Sequence, residues 1–491
     1  MFAALSSDAH DGGDRLPGVP HRSGGAGAPT LADRVTVLAL VLVSAAATTF
    51  AVGHRFAAIG RAGLLTLAFV TLGLAVGVGR WRRALGMRTV LVVMVGLLVV
   101  AVAYWPRDST DIWSYASYGR MVSHYGASPY RHVPIEYSND PAMRRVRPIW
   151  QNTASVYGPL WNSISAGVVG FAGTDGYSTR VLFQGLAALS AFLAALLIAR
   201  RTRAPAAVAL IGLNPLVIFD VVNGGHNDAL VGLAILAGVV LATRERFVMA
   251  AVVIALGALV KLVALLGLAA LLVWIWRRRG LRPAVIPAAV AGGVVAVGYA
   301  LSGGLDALKP LRDARLQMSH NSIWLLAGSD GRTRLFGLDR PPLTTDFLRP
   351  IATVSIIAVL ALAALLVASR LRDRTPALVV GSALVAYLLA SMYVLPWYAV
   401  WALPVLVLEW RSGLTLVVLA QSALYLVAYQ YRQCFPGTVP YQALFLSNVV
   451  LVAFELSIIV ALVVGAVRRL RGDRAPVEAA RPRAPVAARV D

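Results

Sequence analysis

The chain has 491 residues, of which 58% are hydrophobic and only 14% charged, and its formal charge is +22. A soluble domain is about half apolar and about a quarter charged, so the composition excludes a string of soluble domains and predicts an all-α polytopic membrane protein. The arginines lie in short gaps between apolar runs, where they act as topology signals, so the positive charge does not indicate nucleic-acid binding.

Three segments follow from the distribution of apolar residues. Residues 1–34 begin with a stretch rich in Gly, Pro and Ser and predict a disordered cytoplasmic tail. Residues 35–466 carry the apolar runs and predict one transmembrane domain. Residues 467–491 are basic and rich in Pro and Ala, which predicts a second cytoplasmic tail near anionic head groups.

The apolar runs predict about fourteen membrane spans. They lie near 35–52, 62–79, 89–105, 179–199, 204–222, 228–243, 246–259, 261–276, 284–301, 351–369, 377–395, 397–410, 413–430 and 443–466. Placing the arginine-rich gaps inside puts both termini in the cytoplasm and leaves two long outer loops, 106–178 and 302–349.

The threading makes three local predictions. The stretch Phe247–Trp276 has arginines on both flanks, so it must be a hairpin of two short helices that turns near Lys261. The gap at 54–61 carries Arg55 and Arg61 and yet must lie outside, which makes it the one discordant loop. The apolar run 160–173 is too short to span comfortably, so we expect a helix on the membrane surface there.

The first outer loop begins WPRDSTDIWSYASYGRMVSHYGASPY and contains Asp108 and Asp111 beside an aromatic series that includes Tyr115. A carboxylate at a helix end just outside the bilayer, walled by aromatic rings, suits a general base. The structural alternative is that Asp111 caps a surface helix and the aromatic residues form an interfacial belt.

A second polar cluster, in FDVVNGGHNDALVGL, places His226, Asn227 and Asp228 where the fifth predicted span emerges. Its glycines would let the backbone approach a ligand, but the same letters are typical of a turn with Asp228 as the next helix's N-cap. Lys261 stands between two apolar runs, so it should either meet an anion or reach the outer surface as a snorkelling side chain.

Two further candidates lie in outer segments. Trp397 and Tyr398 belong to the turn YVLPWYAVWALP, and His320 precedes Asn321 in the second long loop. Interfacial anchoring and a hydrogen-bonded loop histidine are their structural alternatives.

No G-x-x-x-x-G-K-[ST], GxSxG or HExxH pattern occurs, so the sequence gives no support for nucleotide hydrolysis, a serine hydrolase or a zinc protease.

The order of these elements resembles the GT-C superfamily of integral-membrane glycosyltransferases. The similarity rests on the acidic first loop, YGPLW (Tyr157–Trp161), NPLVIFDVVNGGHNDAL, the hairpin with its central lysine and the late LPWYxxW turn, and it covers residues 89–465. More narrowly, the chain resembles actinobacterial polyprenyl-phosphomannose-dependent α-1,6-mannosyltransferases that build lipomannan and lipoarabinomannan.

The resemblance implies a GT-C-like helical bundle with surface helices in the first outer loop. It makes Asp111 the catalytic base, with Asp108 as second choice, and His226–Asp228 the family's second acidic element. Substrate-binding residues are then expected at Asp108, Tyr115, Tyr157, His226, Asn227, Asp228, Lys261, His320, Trp397 and Tyr398.

The same resemblance implies the reaction. The enzyme would move mannose, with inversion, from a polyprenyl-phosphate donor to a glycan or glycolipid acceptor outside the plasma membrane. No cofactor is expected, and the absence of a tight Asp-x-Asp in the first loop gives no support for a metal site. A lipid or sugar transporter or flippase, and a related enzyme that uses arabinose, remain the alternatives.

Overall fold

The computed structural model describes residues 28–54, 58–319, 322–326, 344–373, 375–433 and 449–472. Every regular element in these ranges is helical, which confirms the all-α class. Most of the two predicted tails, the middle of the second long loop and His320 lie outside the described residues.

The described chain is a succession of helices joined by short turns. The α-helices are α1 Leu31–Gly53, α2 Ala58–Trp81, α3 Met87–Ala103, α4 Asp111–Ser123, α5 Pro159–Ala172, α6 Gly176–Thr202, α7 Pro205–Gly212, α8 Asp228–Ala242, α9 Phe247–Ala258, α10 Ala264–Arg279, α11 Leu281–Ser302, α12 Lys309–Ala314, α13 Thr345–Ala368, α14 Ala377–Ala390, α15 Leu403–Leu406, α16 Gly413–Gln433 and α17 Leu451–Gly472. A π-helix, Leu216–Val222, follows α7, and short 3-10 helices occupy Pro134–Tyr137, Met143–Arg145, Pro148–Trp150, Gly304–Leu308, Ile323–Leu326, Pro396–Trp401 and Val407–Glu409.

Eight stretches of the described chain are long and apolar enough to cross a membrane, which confirms a polytopic membrane protein. They are Leu31–Gly53, Gly60–Trp81, Gly176–Thr202, Pro205–Val222, Leu281–Ser302, Thr345–Ala368, Gly413–Gln430 and Leu451–Gly472. The apolar helices α3, α8, α9 and α14 are shorter. These helices do not establish the predicted count of about fourteen spans.

The predicted span 397–410 is wrong as a single regular helix. The chain there is divided into the 3-10 helix Pro396–Trp401, the single turn α15 and the 3-10 helix Val407–Glu409. Pro404 lacks the N–H that an uninterrupted helix needs at this position, which accounts for the broken path. The segment is nevertheless almost wholly buried, so its high hydropathy reflects a core position.

Burial separates a protein core from a lipid-facing layer. Helices α8 and α14 and the stretch 205–222 are buried on nearly every face. Helices α1, α13 and α17, by contrast, expose large apolar residues such as Leu42, Leu360 and Val460. Apolar side chains on the outside of a bundle suit contact with hydrocarbon, so this arrangement fits a bilayer around the outer helices.

The arginine-rich gaps meet at one end of the bundle. Arg278 donates to the carbonyl oxygens of Arg372 and Asp373, each at 2.6 Å, and the Arg80 guanidinium lies over the ring of Trp410. The long segment 104–158, α5 and the tip of the α9–α10 hairpin occupy the other end. This separation agrees with the threading that the positive-inside rule predicts.

The α9–α10 hairpin turns at residues 259–263, as the flanking arginines require. Its tip docks on the YGPLW segment, because the N–H groups of Gly158 and Leu160 donate to the carbonyl oxygens of Val260 and Leu259, each at 2.9 Å. A Cβ on residue 158 would lie 2.1 Å from the Leu259 oxygen, so the contact requires glycine. The docking fixes the position of Lys261 relative to the first long loop.

Candidate active site

A buried hydrogen-bond network anchors the loop that leads from α3 to α4. Arg180, Gln184 and Asn223 donate to carbonyl oxygens of residues 101–105 at distances of 2.7 to 3.2 Å. Carbonyl groups in the last turn of a helix have no intrahelical partner, and a cation such as Arg180 also complements the helix dipole. The network therefore holds the start of the acidic loop rigidly.

Asp111 is the first residue of α4, and its N–H donates to the Ser109 hydroxyl at 3.2 Å. The amino-terminal end of a helix favours a negative charge, so the position stabilises the carboxylate. The Asp111 side chain is 27% exposed and lines a cavity. It is thus an accessible carboxylate on a rigid element.

Asp108 has a different environment. One carboxylate oxygen lies 2.5 Å from the Arg61 guanidinium and the other accepts from the Gln430 amide, and only 4% of the side chain is exposed. Burial raises the pKa of Asp108 above its ordinary value, although Arg61 acts in the opposite direction. Because both oxygens are occupied, Asp108 is less suited than Asp111 to accept a proton from a substrate.

The cavity beside Asp111 has a volume of about 630 Å³. It lies between the acidic loop, the segment 147–157, the hairpin tip, residues 317–319 and the turn 393–398. Six of the sequence-predicted site residues line it: Asp108, Asp111, Tyr157, Lys261, Trp397 and Tyr398. The structure therefore brings together residues that are up to 290 positions apart, from Asp108 to Tyr398.

Four other predicted site residues are buried behind this wall and do not line the cavity: Tyr115, His226, Asn227 and Asp228. Tyr115 packs edge-on against Tyr157 and Trp161, with ring centroids 4.9 and 5.0 Å apart. Tyr115 therefore packs behind the aromatic wall of the cavity and supports Tyr157. His320, the remaining prediction, falls outside the described residues.

Lys261 meets an anion, which is one of the two outcomes that the sequence left open. Its ammonium lies 2.8 Å from a carboxylate oxygen of Asp228, and the Trp401 indole donates to the same oxygen at 2.6 Å. The ammonium also lies 4.2 Å from the centre of the Tyr398 ring. Asp228 is the first residue of α8, whose N-cap position is taken by Asn227.

His226 lies directly behind Asp111. Its ring stacks on Trp397 with centroids 4.0 Å apart, and Nδ1 is 3.4 Å from Oδ2 of Asp111. The preceding Gly225 has φ +67°, a conformation that favours glycine, and a Cβ there would lie 2.6 Å from Ile112. The glycine pair therefore serves a tight turn that delivers the imidazole to Asp111.

Sequence reasoning missed several cavity residues. They are Arg147, Ile149, Trp150, Thr153, Val156, Gln317, Met318, Ser319, Tyr393, Leu395 and Tyr429. Arg147 is the N-cap and Trp150 the last residue of a single 3-10 turn in an irregular segment, where no periodic pattern marks the face that a side chain occupies. Tyr393 and Leu395 are the exceptions, because they belong to the turn YVLPWYAVWALP that the sequence singled out.

A smaller pocket of about 360 Å³ adjoins the cavity. Arg61, Arg107 and Arg147 line it together with Asp108, and it shares the residues 108–110 and Arg147 with the larger cavity. Three guanidinium groups and one carboxylate leave it with an excess of positive charge.

Within the described ranges, no group of three or more His, Cys, Asp or Glu side chains could hold a metal ion.

Comparisons with known proteins agree with this geometry. Residues 21–278 match the family model described as alpha-(1->6)-mannopyranosyltransferase, N-terminal domain, and residues 171–396 match glycosyltransferase family 87. Alpha-(1->6)-mannopyranosyltransferase A of Mycobacterium tuberculosis is 28% identical over 361 residues, which is 70% of this chain and 69% of that protein. The enzyme of the same name from Corynebacterium glutamicum is 31% identical over 193 residues, 38% of each chain.

The first family match covers more than half of the chain and includes both the acidic loop and the hairpin with Lys261. The chain therefore belongs to the alpha-(1->6)-mannopyranosyltransferase family of membrane-embedded GT-C glycosyltransferases.

Proposed function

We propose that the protein transfers a mannosyl residue, with inversion, from a polyprenyl-phosphate donor to a cell-envelope glycan or glycolipid of the lipomannan type. The two curated relatives are named as α-1,6-mannosyltransferases, which supports mannose as the sugar. The observation that carries the proposal is the accessible carboxylate of Asp111, held at a helix start inside an aromatic-walled cavity.

In the proposed reaction, Asp111 removes the proton from an acceptor hydroxyl as that oxygen attacks the anomeric carbon. The new C–O glycosidic bond forms while the bond between the anomeric carbon and the phosphate oxygen breaks. The electron pair of the broken bond leaves with the polyprenyl phosphate. Because the acceptor oxygen attacks from the face opposite the leaving group, a β-linked donor gives an α-linked product. The transition state has oxocarbenium character, and the leaving phosphate gains negative charge.

Two cationic side chains of the cavity suit that leaving phosphate. Lys261 lines the cavity, but its ammonium already forms an ion pair with the carboxylate of Asp228. Arg147 lines both the cavity and the adjoining pocket, and among the described residues its guanidinium has no ion-pair partner. We assign the stronger phosphate contact to Arg147 and a supporting electrostatic role to Lys261.

The proposed location is the outer face of the plasma membrane. The smaller pocket, lined by Arg61, Arg107 and Arg147, also contains Trp105 and Trp113. Tryptophan is typical of the membrane interface, so a lipid-linked donor could enter beside these rings from the bilayer. The clustering of cytoplasmic-type arginines at the opposite end supports this orientation. A lipid-linked donor suits that compartment, because nucleotide sugars are confined to the cytoplasm.

A transfer assay tests the function. Proteoliposomes would receive radiolabelled polyprenyl-phosphate-mannose and a short α-mannoside acceptor, and Asp111→Asn should reduce the rate by about 10²- to 10⁴-fold. An arabinosyl donor of the same prenyl length is the matched control. Transfer of arabinose but not mannose, or full activity in Asp111→Asn, would overturn the proposal.

Cysteine labelling tests the orientation independently of activity. Asn139 is exposed in the first long loop, so Asn139→Cys in a Cys434→Ser background offers a single reactive thiol. A membrane-impermeant maleimide should label it in intact cells. Labelling only after the cytoplasmic side is opened would place the cavity in the cytoplasm.

A further inference from the structure

His226 is a fully buried histidine whose ring nitrogens both lack a standard hydrogen bond within the described chain. An imidazole normally has one N–H donor and one acceptor nitrogen, and leaving both unpaired inside a protein is costly. The nearest charged oxygen is Oδ2 of Asp111, 3.4 Å from Nδ1. That distance is slightly beyond an ordinary hydrogen bond, and such bonds in ligand-free active sites are often long.

The surroundings of His226 hold the ring in this place. Its face stacks on Trp397 with an interplanar angle of 17°, and its backbone N–H donates to the carbonyl oxygen of Val221 at 2.9 Å in the π-helix. A Cβ on Gly224 would lie 2.7 Å from the imidazole ring. Three contacts therefore fix the position and orientation of the ring.

Burial also separates His226 from the substrate. The residue does not line the cavity, whereas Asp111 and Trp397 do. An effect of the imidazole on the reaction must therefore pass through Asp111 or through Trp397, on which the ring stacks. In this geometry His226 could not touch a sugar bound in the cavity.

We propose that His226 is a positioning residue that donates a hydrogen bond from Nδ1 to Oδ2 of Asp111 and so directs Oδ1 at the acceptor hydroxyl. The proposal rests on Asp111 being the base, as in the proposed function. The hydrogen bond shortens when substrates fill the cavity. Held at one oxygen, the carboxylate keeps a single rotamer, and the other oxygen stays available for the proton.

Two variants separate the hydrogen bond from the packing. His226→Phe retains an aromatic ring that stacks on Trp397 but has no N–H, while His226→Asn loses the stack and retains an amide N–H at the position of Nδ1. We expect His226→Phe to lower kcat by about 10- to 100-fold, the range for partners that orient an active group, with KM unchanged. His226→Asn should recover a substantial part of that loss.

A double-mutant cycle completes the test. In the Asp111→Asn background His226→Phe should have no further effect on the residual rate, because its route to the reaction is already removed. Additive losses, an unchanged kcat in folded His226→Phe, or a raised KM with constant kcat would each overturn the positioning role. Thermal unfolding of each variant in detergent establishes that it is folded.

The outcomes distinguish this inference from the proposed function. Full activity in Asp111→Asn contradicts the base, whereas an inactive Asp111→Asn beside a fully active His226→Phe contradicts only the positioning role. If His226→Phe does not fold, His226→Asn and His226→Gln replace it, since only the Asn amide places an N–H at the position of Nδ1. A higher kcat in His226→Asn then supports the role, and equal kcat values overturn it.

Discussion

Arg61 at the start of α2 and Asp108 in the loop before α4 form an ion pair with a nitrogen–oxygen distance of 2.5 Å. The pair gives Arg61 a structural reason to stand in the gap at 54–61, which is the one gap discordant with the predicted threading. Arg61 is needed there to compensate a buried carboxylate, since an unpaired charge at that depth is expensive. A local electrostatic requirement thus accounts for Arg61 in this gap.

Removing one member of this pair should destabilise the protein. Arg61→Met leaves Asp108 buried without its cation, and breaking a buried pair in this way costs about 3–5 kcal/mol. Denaturant or thermal unfolding in detergent measures the loss. The double variant Arg61→Met with Asp108→Asn should recover part of it, whereas equal stability of the single variant and the native chain would contradict a stabilising pair.

The Lys261–Asp228 contact predicts a separable effect on fold and donor binding. Lys261→Met should raise the donor KM, because a cation near the leaving phosphate is lost, and should also lower stability because Asp228 is left buried and unpaired. Adding Asp228→Asn should restore stability without restoring donor affinity. Lys261→Arg should rescue only partly, since a planar guanidinium replaces a compact ammonium. An unchanged donor KM in folded Lys261→Met would assign the lysine a purely structural role.

Arg147 should influence donor binding more strongly than Lys261. Its exposed guanidinium lines both pockets, so Arg147→Gln should raise the donor KM by about tenfold or more, as expected for loss of a charge-assisted hydrogen bond to phosphate. Arg144→Gln is the matched control, because Arg144 is exposed in the same segment and lines neither pocket. Equal donor KM values for the two variants would remove Arg147 from the phosphate site.

The sequence predicted the parts of this fold that depend on hydrophobicity and charge. Arginines flanking Phe247–Trp276 required a hairpin, and the structure contains it. The same reasoning failed at 397–410, because a hydropathy average registers apolar composition and does not register the interruption at Pro404. Hydropathy therefore identifies the segments that avoid water, either in the protein core or on the lipid-facing surface, more reliably than it identifies regular helices.

The candidate site was predictable in its composition and not in its geometry. Asp108 and Asp111 are three positions apart and chemically identical, and only their three-dimensional partners separate them. Asp108 is paired by residues 47 and 322 positions away, whereas Asp111 faces a cavity. Arg147 was missed because it lies in irregular backbone, where neither helical nor strand periodicity predicts which way a side chain points.

Asp140 predicts a pH dependence of stability in the first long loop. Burial raises the pKa of its carboxyl, but hydrogen bonds from Arg120, the Ala142 N–H and Tyr125 outweigh burial, and the net pKa is lowered. A carboxyl with a lowered folded-state pKa stabilises above its unfolded pKa of about 3.9, and the contribution disappears as pH falls through the folded value. Asp140→Asn should therefore lower Tm at pH 7, and its difference from the native protein should shrink towards pH 3.5. A difference that stays constant across that range would contradict the ionic contribution.

Gly158 provides a test of the docking between the first long loop and the hairpin tip. Gly158→Ala brings a methyl group to 2.1 Å from the Leu259 carbonyl oxygen, so the two segments must separate, and overpacking of this kind costs about 1–3 kcal/mol. Lys261 is two residues after Leu259 in the same hairpin tip and would be displaced with it. The same variant should therefore raise the donor KM. Gly167→Ala is the matched control: it lies exposed on α5 with nothing within 4 Å of a new Cβ, so the better helix propensity of alanine should raise Tm slightly. Thermal unfolding and donor titration of both variants give opposite signs if the hairpin docks as described, and a Gly158→Ala protein as stable as Gly167→Ala would show that the close contact is absent.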